Sequence, residues 1–456
     1  MARVLSDDQL AWSPSRFNKC TQQPDGALLL YNSFMGAFAR VPDFETAQVR
    51  KALAEGLSGM PTGILAELCF HGFFVVSGTD EIGEVDRLCA EERVAALEKL
   101  QLVLLPNEQC NFRCKYCSQT FARKKMRRDV IEGVVAHVRA RAPSLRSLSV
   151  GWFGGEPLTA PEIIDEVAGR LQSICEEHGV DYSSSMTTNG YLLTEPVARM
   201  LLRREVRGFQ ITVDGRREDH DRLRVLGDGH TGTFDRIFAN LRMLRGLDEQ
   251  FKVVLRVNFD RRSAPLMDPF LDLLEAEFAH DERFCIDFHP VGRWGGPNDP
   301  QLAVCGRDEG QLQSVDFGRK AISRGLDPAG VRDKLLPGGS KCYAAKPYSF
   351  VIGSDGTVYK CTVAFEDPRN HVGRITANGE LLLDAAKHEM WIGQGAEKDS
   401  GCKSCFFSPS CQGNACPLHR MDTGARPCPS IKTQIEGALL AVAAESSPQC
   451  CHHEAV

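Results

Sequence analysis

"LQLVLLPNEQCNFRCKYCSQ", residues 100–119, runs from an apolar segment straight into three cysteines, Cys110, Cys114 and Cys117. The run up to Pro106 reads as a buried strand. The thiols then sit on the loop that leaves it, at the end where parallel barrels place their active sites. Their spacing, CxxxCxxC, is too compact for the paired knuckles of structural zinc, and a closed tetrahedral site takes four ligands. If three thiolates hold three irons of a [4Fe–4S] cube, the fourth iron is left for a substrate or cosubstrate.

Outward from this stretch, apolar segments and amphipathic segments alternate. "KLQLVLLP", "SLSVGWFGG", "YSSSMTTNG", "GFQITVDG", "KVVLRVNF" and "FCIDFHPV" are strand-like, with helical stretches such as "PEIIDEVAGRLQSICEEHG" and "EPVARMLLRRE" between them. That alternation predicts right-handed βαβ units and a parallel sheet. Six units fall short of the eight of a closed barrel, so the expected fold is α/β, an open partial (β/α)6 barrel over 100–330. Residues 1–82 predict a winged-helix-like α+β domain: "ALLLYNS" and "AFARV" form a hairpin, "FETAQVRKALAEG" and "GILAELCFHG" form helices, and "FFVV" closes it. Residues 83–99 read as a connecting helix. Over 331–442 Cys, Gly and Pro take over around one hairpin, "YSFVIGSDGTVYKC", the composition of a small domain stapled by thiolates. Residues 443–456 read as a disordered tail.

A formal charge of -6 over 456 residues argues against nucleic acid or an anionic membrane as the main partner. The N-terminal segment has no apolar run of signal-peptide length, and no run spans a bilayer. A cytoplasmic protein is expected. In that reducing setting eighteen cysteines do not form a disulfide framework, which leaves metal or cluster ligation. Ten are grouped: the first three, then Cys342 and Cys361, then Cys402, Cys405, Cys411, Cys416 and Cys428. The other eight read as incidental or buried thiols.

The Cys110, Cys114, Tyr116 and Cys117 pattern resembles the CxxxCxφC signature of radical S-adenosylmethionine (SAM) enzymes. The resemblance implies that SAM chelates the open iron of a [4Fe–4S] cluster and is cleaved to a 5′-deoxyadenosyl radical. "GWFGGEP" (151–157) resembles the family's GGE motif, so Gly154, Gly155 and Glu156 are implied to meet the SAM amino group. "TTNG" (187–190), "ITVDG" (211–215) and "HDRLR" (220–224) resemble its later strand ends, which makes Thr212 a ribose contact and Arg224 a donor to the SAM carboxylate. Tyr116 joins this cofactor-binding set; Arg256 and Asn258 are weaker candidates. No catalytic residue is assigned.

Cys342 and Cys361, then Cys402-x2-Cys405-x5-Cys411-x4-Cys416, then Cys428 resemble the SPASM domain of peptide- and protein-modifying members of that family, with one residue more than usual before Cys416. By resemblance, two auxiliary clusters of the [4Fe–4S] type follow: Cys342, Cys361 and Cys416 serve the first, and Cys402, Cys405, Cys411 and Cys428 the second. Two full cubes need eight thiolates and seven are present, so the first has an open iron, a non-cysteine ligand, or Cys305 or Cys285. Structural zinc is the competing reading of Cys402 to Cys416. Residues 1–82 resemble the PqqD-like element that captures a precursor peptide's leader by strand addition. Together these imply a peptide maturase that forms a thioether or C–C crosslink, supplied with electrons by a flavodoxin or ferredoxin. The alternatives are a sulfatase-maturase-like enzyme, against which Thr362 stands where such relatives carry Asp, and a non-catalytic iron–sulfur or zinc scaffold.

Overall fold

The computed structural model describes residues 11–296, 298–393 and 395–445. Its chain divides into two compact units, one built from Met1–Arg93, Gly330–Ala345 and Gly393–Val456, the other from Val94–Ala329 and Lys346–Ile392.

In the first unit, strands β1 (Ala11–Pro14), β2 (Asn18–Gln22), β3 (Leu28–Asn32), β4 (Ala37–Val41), β5 (Leu57–Ser58) and β6 (Phe74–Val76) form two small antiparallel sheets, ordered β2-β3-β4 and β5-β1-β6. The expected hairpin is β3–β4. Asn32 shapes its turn by accepting the backbone N–H groups of Phe34 and Met35 at 3.0 and 2.9 Å. The expected helices run Asp43–Glu55 and Ile64–Phe70, and the connecting helix Glu81–Ala95.

The continuous apolar run of β3 has a structural cause. Successive side chains point to opposite faces, and both faces are covered. Leu28 and Leu30 pack with Val41, Val49, Leu68, Phe73 and Phe74. Leu29 and Tyr31 pack with Leu335, Phe407, Cys411, Ile435, Leu439 and Val442. Tyr31 Oη donates to the Leu335 carbonyl, and Ser410 Oγ lies 2.9 Å away. Residues expected to form a module of their own thus share a core with the C-terminal cysteine-rich segment. The helix Ile435–Glu445 carries part of that core, so residues 443–445 of the expected disordered tail are helical. Residues 446–456, with Cys450 and Cys451, lie outside the described residues.

The second unit is one 11-stranded sheet. Its centre is β7 (Lys99–Asn107), β8 (Ser147–Gly154), β9 (Asp181–Thr188), β10 (Val206–Thr212), β11 (Lys252–Phe259) and β12 (Phe284–Pro290), all parallel in chain order. These are the six strands expected from sequence, and helices such as Pro161–His178 and Glu195–Arg203 connect them. The α/β partial barrel is therefore present. β13 (Asp327–Pro328) adds at the β12 edge. Past β7 come β14 (Ser349–Ile352), β15 (Thr357–Tyr359), β16 (His371–Ile375) and β17 (Leu381–Leu383), with β14 parallel to β7. The "YSFVIGSDGTVYKC" hairpin is β14–β15, so it prolongs the barrel sheet. Each central strand delivers its carboxyl end to one side, where the cysteine loop begins.

Candidate active site

The loop after β7 is clamped from two directions. The Arg113 and Lys115 N–H groups donate to the Val225 and Leu223 carbonyls, both at 2.9 Å, and Phe112 bridges Leu226. Across the loop, the Gly155 and Glu156 N–H groups donate to the Asn107 and Gln109 carbonyls at 3.2 and 3.0 Å. This contact explains the glycine pair: a Cβ on Gly154, whose φ is +131°, would sit 2.3 Å from the Asn107 oxygen, and one on Gly155 would sit 2.5 Å from the Gln109 oxygen. Close backbone approach is what glycine permits. Here the approached group is the entry to the cysteine loop.

Glu156 is buried, and its carboxylate ties β8 to β9. It accepts from Thr188 Oγ1 and the Asn189 N–H, both at 2.7 Å, and from the Leu158 N–H at 3.0 Å. Burial raises its pKa against these three bonds. Asn189 then donates to Asn111 Oδ1 at 2.8 Å and approaches Cys110 Sγ at 3.9 Å.

A second buried network gathers around Tyr116. Its hydroxyl donates to Asp214 and accepts from Arg224 Nη1 at 2.6 Å and Asn258 Nδ2 at 3.2 Å. Asp214 accepts from the Asn258 N–H at 2.9 Å, and its own N–H donates to His220 Nδ1 at 3.1 Å. That bond makes Nε2 the protonated nitrogen of His220, which donates to Thr233 Oγ1 at 3.0 Å; Thr233 in turn donates to the Arg224 carbonyl at 2.8 Å. Arg224 is 6 % exposed and lies over the Phe112 ring. Its Nε is buried with no partner among the described residues.

Burial disfavours the thiolate form of all three cysteines in the metal-free chain. Burial pushes Cys110 up to about 12 and Cys114 up to about 11, and raises Cys117. Cys110 feels Cys114 and Cys117, and both of those feel the Arg224 cation. Among the described residues no three His, Cys, Asp or Glu side chains close around a single ion. A cube holds its ligands farther apart than one ion does, and thiolates form as metal binds. Three gathered thiols and one unpartnered guanidinium N–H fit an iron–sulfur cluster with an anionic cosubstrate beside it.

Residues 104–255 match the radical SAM superfamily. This is a radical SAM domain. Among curated proteins, the chain is similar to a serine-type anaerobic sulfatase-maturating enzyme of Klebsiella aerogenes, 24% identical over 335 residues, 68% of this chain and 77% of that one. It is also similar to the radical SAM cyclopropyl synthase TigE of Paramaledivibacter caminithermalis, 26% identical over 159 residues, 30% of this chain and 33% of that one. A solved structure of anSMEcpe with bound AdoMet and Cp18Cys peptide shares the fold, with TM-score 0.59 and 20% identity over 76% of this chain and 99% of that one. The chain is a radical SAM enzyme that uses SAM and a [4Fe–4S] cluster.

The structure places the residues singled out in the sequence in different ways. Cys110, Cys114, Tyr116, Cys117 and Arg224 are brought together, with Gly154, Gly155 and Glu156 bracing them. Thr212 ends β10, buried and in register with Arg256. Arg256 itself pairs with Asp287 at 3.2 Å. Sequence reading missed Asp214, Asn189, Thr188 and His220 as site residues. All but His220 lie at or just past a strand end, which is the signal that could have found them.

In the first unit Cys402, Cys405, Cys411 and Cys428 are electrostatic neighbours: burial pushes Cys411 up to about 12, and the other three thiols add to the shift. Cys342 and Cys416 belong to the same unit, while Cys361 belongs to the second. Cys285 stands near the amino end of β12, donating to the Val253 carbonyl at 3.5 Å; Cys305, past its carboxyl end, donates to Gln313 at 3.3 Å. Among the described residues no helix is long and apolar enough to cross a membrane.

Proposed function

We propose that the chain matures a ribosomally made peptide, forming a thioether or C–C crosslink in its core. The observation that supports this most is the small sheet of the first unit, in which, among the described residues, β2 and β4 each pair only with β3. Two open edges can receive a leader segment as an added strand, with main-chain bonds supplying affinity. In this reading residues 1–82 are the PqqD-like leader-binding element, and a flavodoxin or ferredoxin supplies electrons in the cytoplasm. When bound, SAM and the reduced cluster supply a 5′-deoxyadenosyl radical that takes hydrogen from an unactivated carbon. Cys110, Cys114 and Cys117 hold that cluster. Arg224 offers its unpartnered Nε–H to the SAM carboxylate, Thr212 meets the ribose, and the Gly154–Glu156 turn meets the amino group. Tyr116 fixes the loop through Asp214, Arg224 and Asn258. Cys402, Cys405, Cys411 and Cys428 hold an auxiliary cluster.

The relation to sulfatase-maturating enzymes favours a second reading, oxidation of a Ser or Cys in a protein, with Thr362 after Cys361 weighing against it. Anaerobic reaction with SAM and a peptide encoded beside this gene separates the two by mass spectrometry: a ring or a formylglycine. Replacing Cys110, Cys114 and Cys117 with Ala is expected to abolish 5′-deoxyadenosine while iron stays in the C-terminal thiol set. SAM cleavage surviving in that variant would refute the cluster assignment.

A further inference from the structure

Two cations touch the C-terminal thiol set. Arg420 Nη2 donates to Cys402 Sγ at 3.5 Å, and Lys432 Nζ donates to Cys428 Sγ at 3.5 Å. Lys432 also interacts with Cys405, so the two cations reach three of the four thiols. Neither is a loose surface charge. Arg420 Nη1 is fixed by Asp399 at 3.0 Å and its Nη2 by the Gly413 carbonyl at 3.2 Å. Asp399 is in turn held by Arg426 at 2.9 Å and by the Gly401 and Cys402 N–H groups. Asp399 thereby holds Arg420 in place. Lys432 sits next to the helix that builds the shared core.

We propose that Arg420 and Lys432 are positioning residues that raise the reduction potential of the cluster held by Cys402, Cys405, Cys411 and Cys428. The inference rests on that cluster reading. Hydrogen bonds to cluster sulfurs and the net local charge are the protein's levers on potential. A cubane with four thiolates is anionic, and its reduced form carries one more negative charge, so nearby cations favour reduction. Partial burial weakens solvent screening of both contacts. A raised potential suits a centre that takes electrons from the rest of the molecule.

The test uses the full chain with Cys110, Cys114 and Cys117 replaced by Ala, reconstituted anaerobically and titrated under paramagnetic-resonance detection. Adding Cys411→Ala identifies the signal of the four-thiol cluster. If iron and signal are indifferent to that change, the cluster reading itself fails. With the signal assigned, Arg420→Gln and Lys432→Gln are each expected to shift the reduced-to-oxidised ratio at fixed potential tenfold toward oxidised, 59 mV for one electron. Arg420→Lys and Lys432→Arg are expected to restore most of the shift. An unchanged midpoint in both Gln variants at full iron content overturns the proposal, and so does loss of iron in both, which would assign the cations to assembly.

Discussion

Tyr116 stands between Cys114 and Cys117 in sequence, yet its hydroxyl is engaged by Asp214, Arg224 and Asn258. The cysteines drew attention by residue type and spacing, and Tyr116 and Arg224 by resemblance; the structure brings all five together. Asp214 was not legible, since a carboxylate after a strand declares nothing until its three-dimensional neighbours are known. His220 was quoted within "HDRLR", but its role depends on Thr233, thirteen residues on. Burial, then the Arg224 charge, hold its pKa well below the ordinary value. A histidine with a depressed folded pKa binds its proton more readily when unfolded, so stability falls as pH drops below the unfolded value of about 6.5. The slope from this one group approaches about 1.4 kcal/mol per pH unit. Denaturant melts of wild type and His220→Gln between pH 7.5 and 5.5 are expected to diverge by about 1.4 kcal/mol in total, the variant being flatter. Parallel curves would mean that His220 carries no proton linkage.

At the scale of elements, five of the six central strands were legible as short runs rich in apolar residues that end in a polar or glycine-containing turn, and the mostly polar β9 by the turn that follows it. The destination of β14 and β15 was not. Their hairpin sits within a cysteine-rich sequence, and only pairing in register, Ser349 with Gln101 through Ile352 with Leu104, shows that it extends the barrel sheet. The Gly154–Gly155 turn was found, and the structure adds a second role to the one its resemblance implies. Its glycines admit the chain entering the cysteine loop, so their replacement is expected to act on folding as well as on cofactor binding. Gly154→Ala forces a Cβ against the Asn107 carbonyl at a positive φ. Such a position costs about 1–3 kcal/mol. The expected result is a lower thermal midpoint of the metal-free chain, measured before any cluster is installed. An unshifted midpoint combined with lost SAM binding would instead return the glycines to a purely ligand-contacting role.

Across the whole molecule, the first unit is assembled from three separated chain segments, which a reading along the sequence treats as successive modules. β3 is where they join. Its odd and even side chains serve different neighbours: Leu30 faces the N-terminal helices, while Leu29 faces Phe407 and the helix Ile435–Glu445. If the unit is cooperative, truncation on either face must weaken both. Leu29→Ala and Leu30→Ala each remove a buried side chain, at about 2–5 kcal/mol apiece. Both are expected to lower the same unfolding transition and to loosen iron from the C-terminal thiols, although Leu30 belongs to the core cluster that lacks Cys411. The same logic predicts that removing residues 1–82 strips the cover from Phe407, Leu439 and Val442, so leader binding and C-terminal iron would be lost together. Two resolved transitions, with Leu30→Ala lowering one and leaving iron retention untouched, would show that the segments fold independently and only lie against each other.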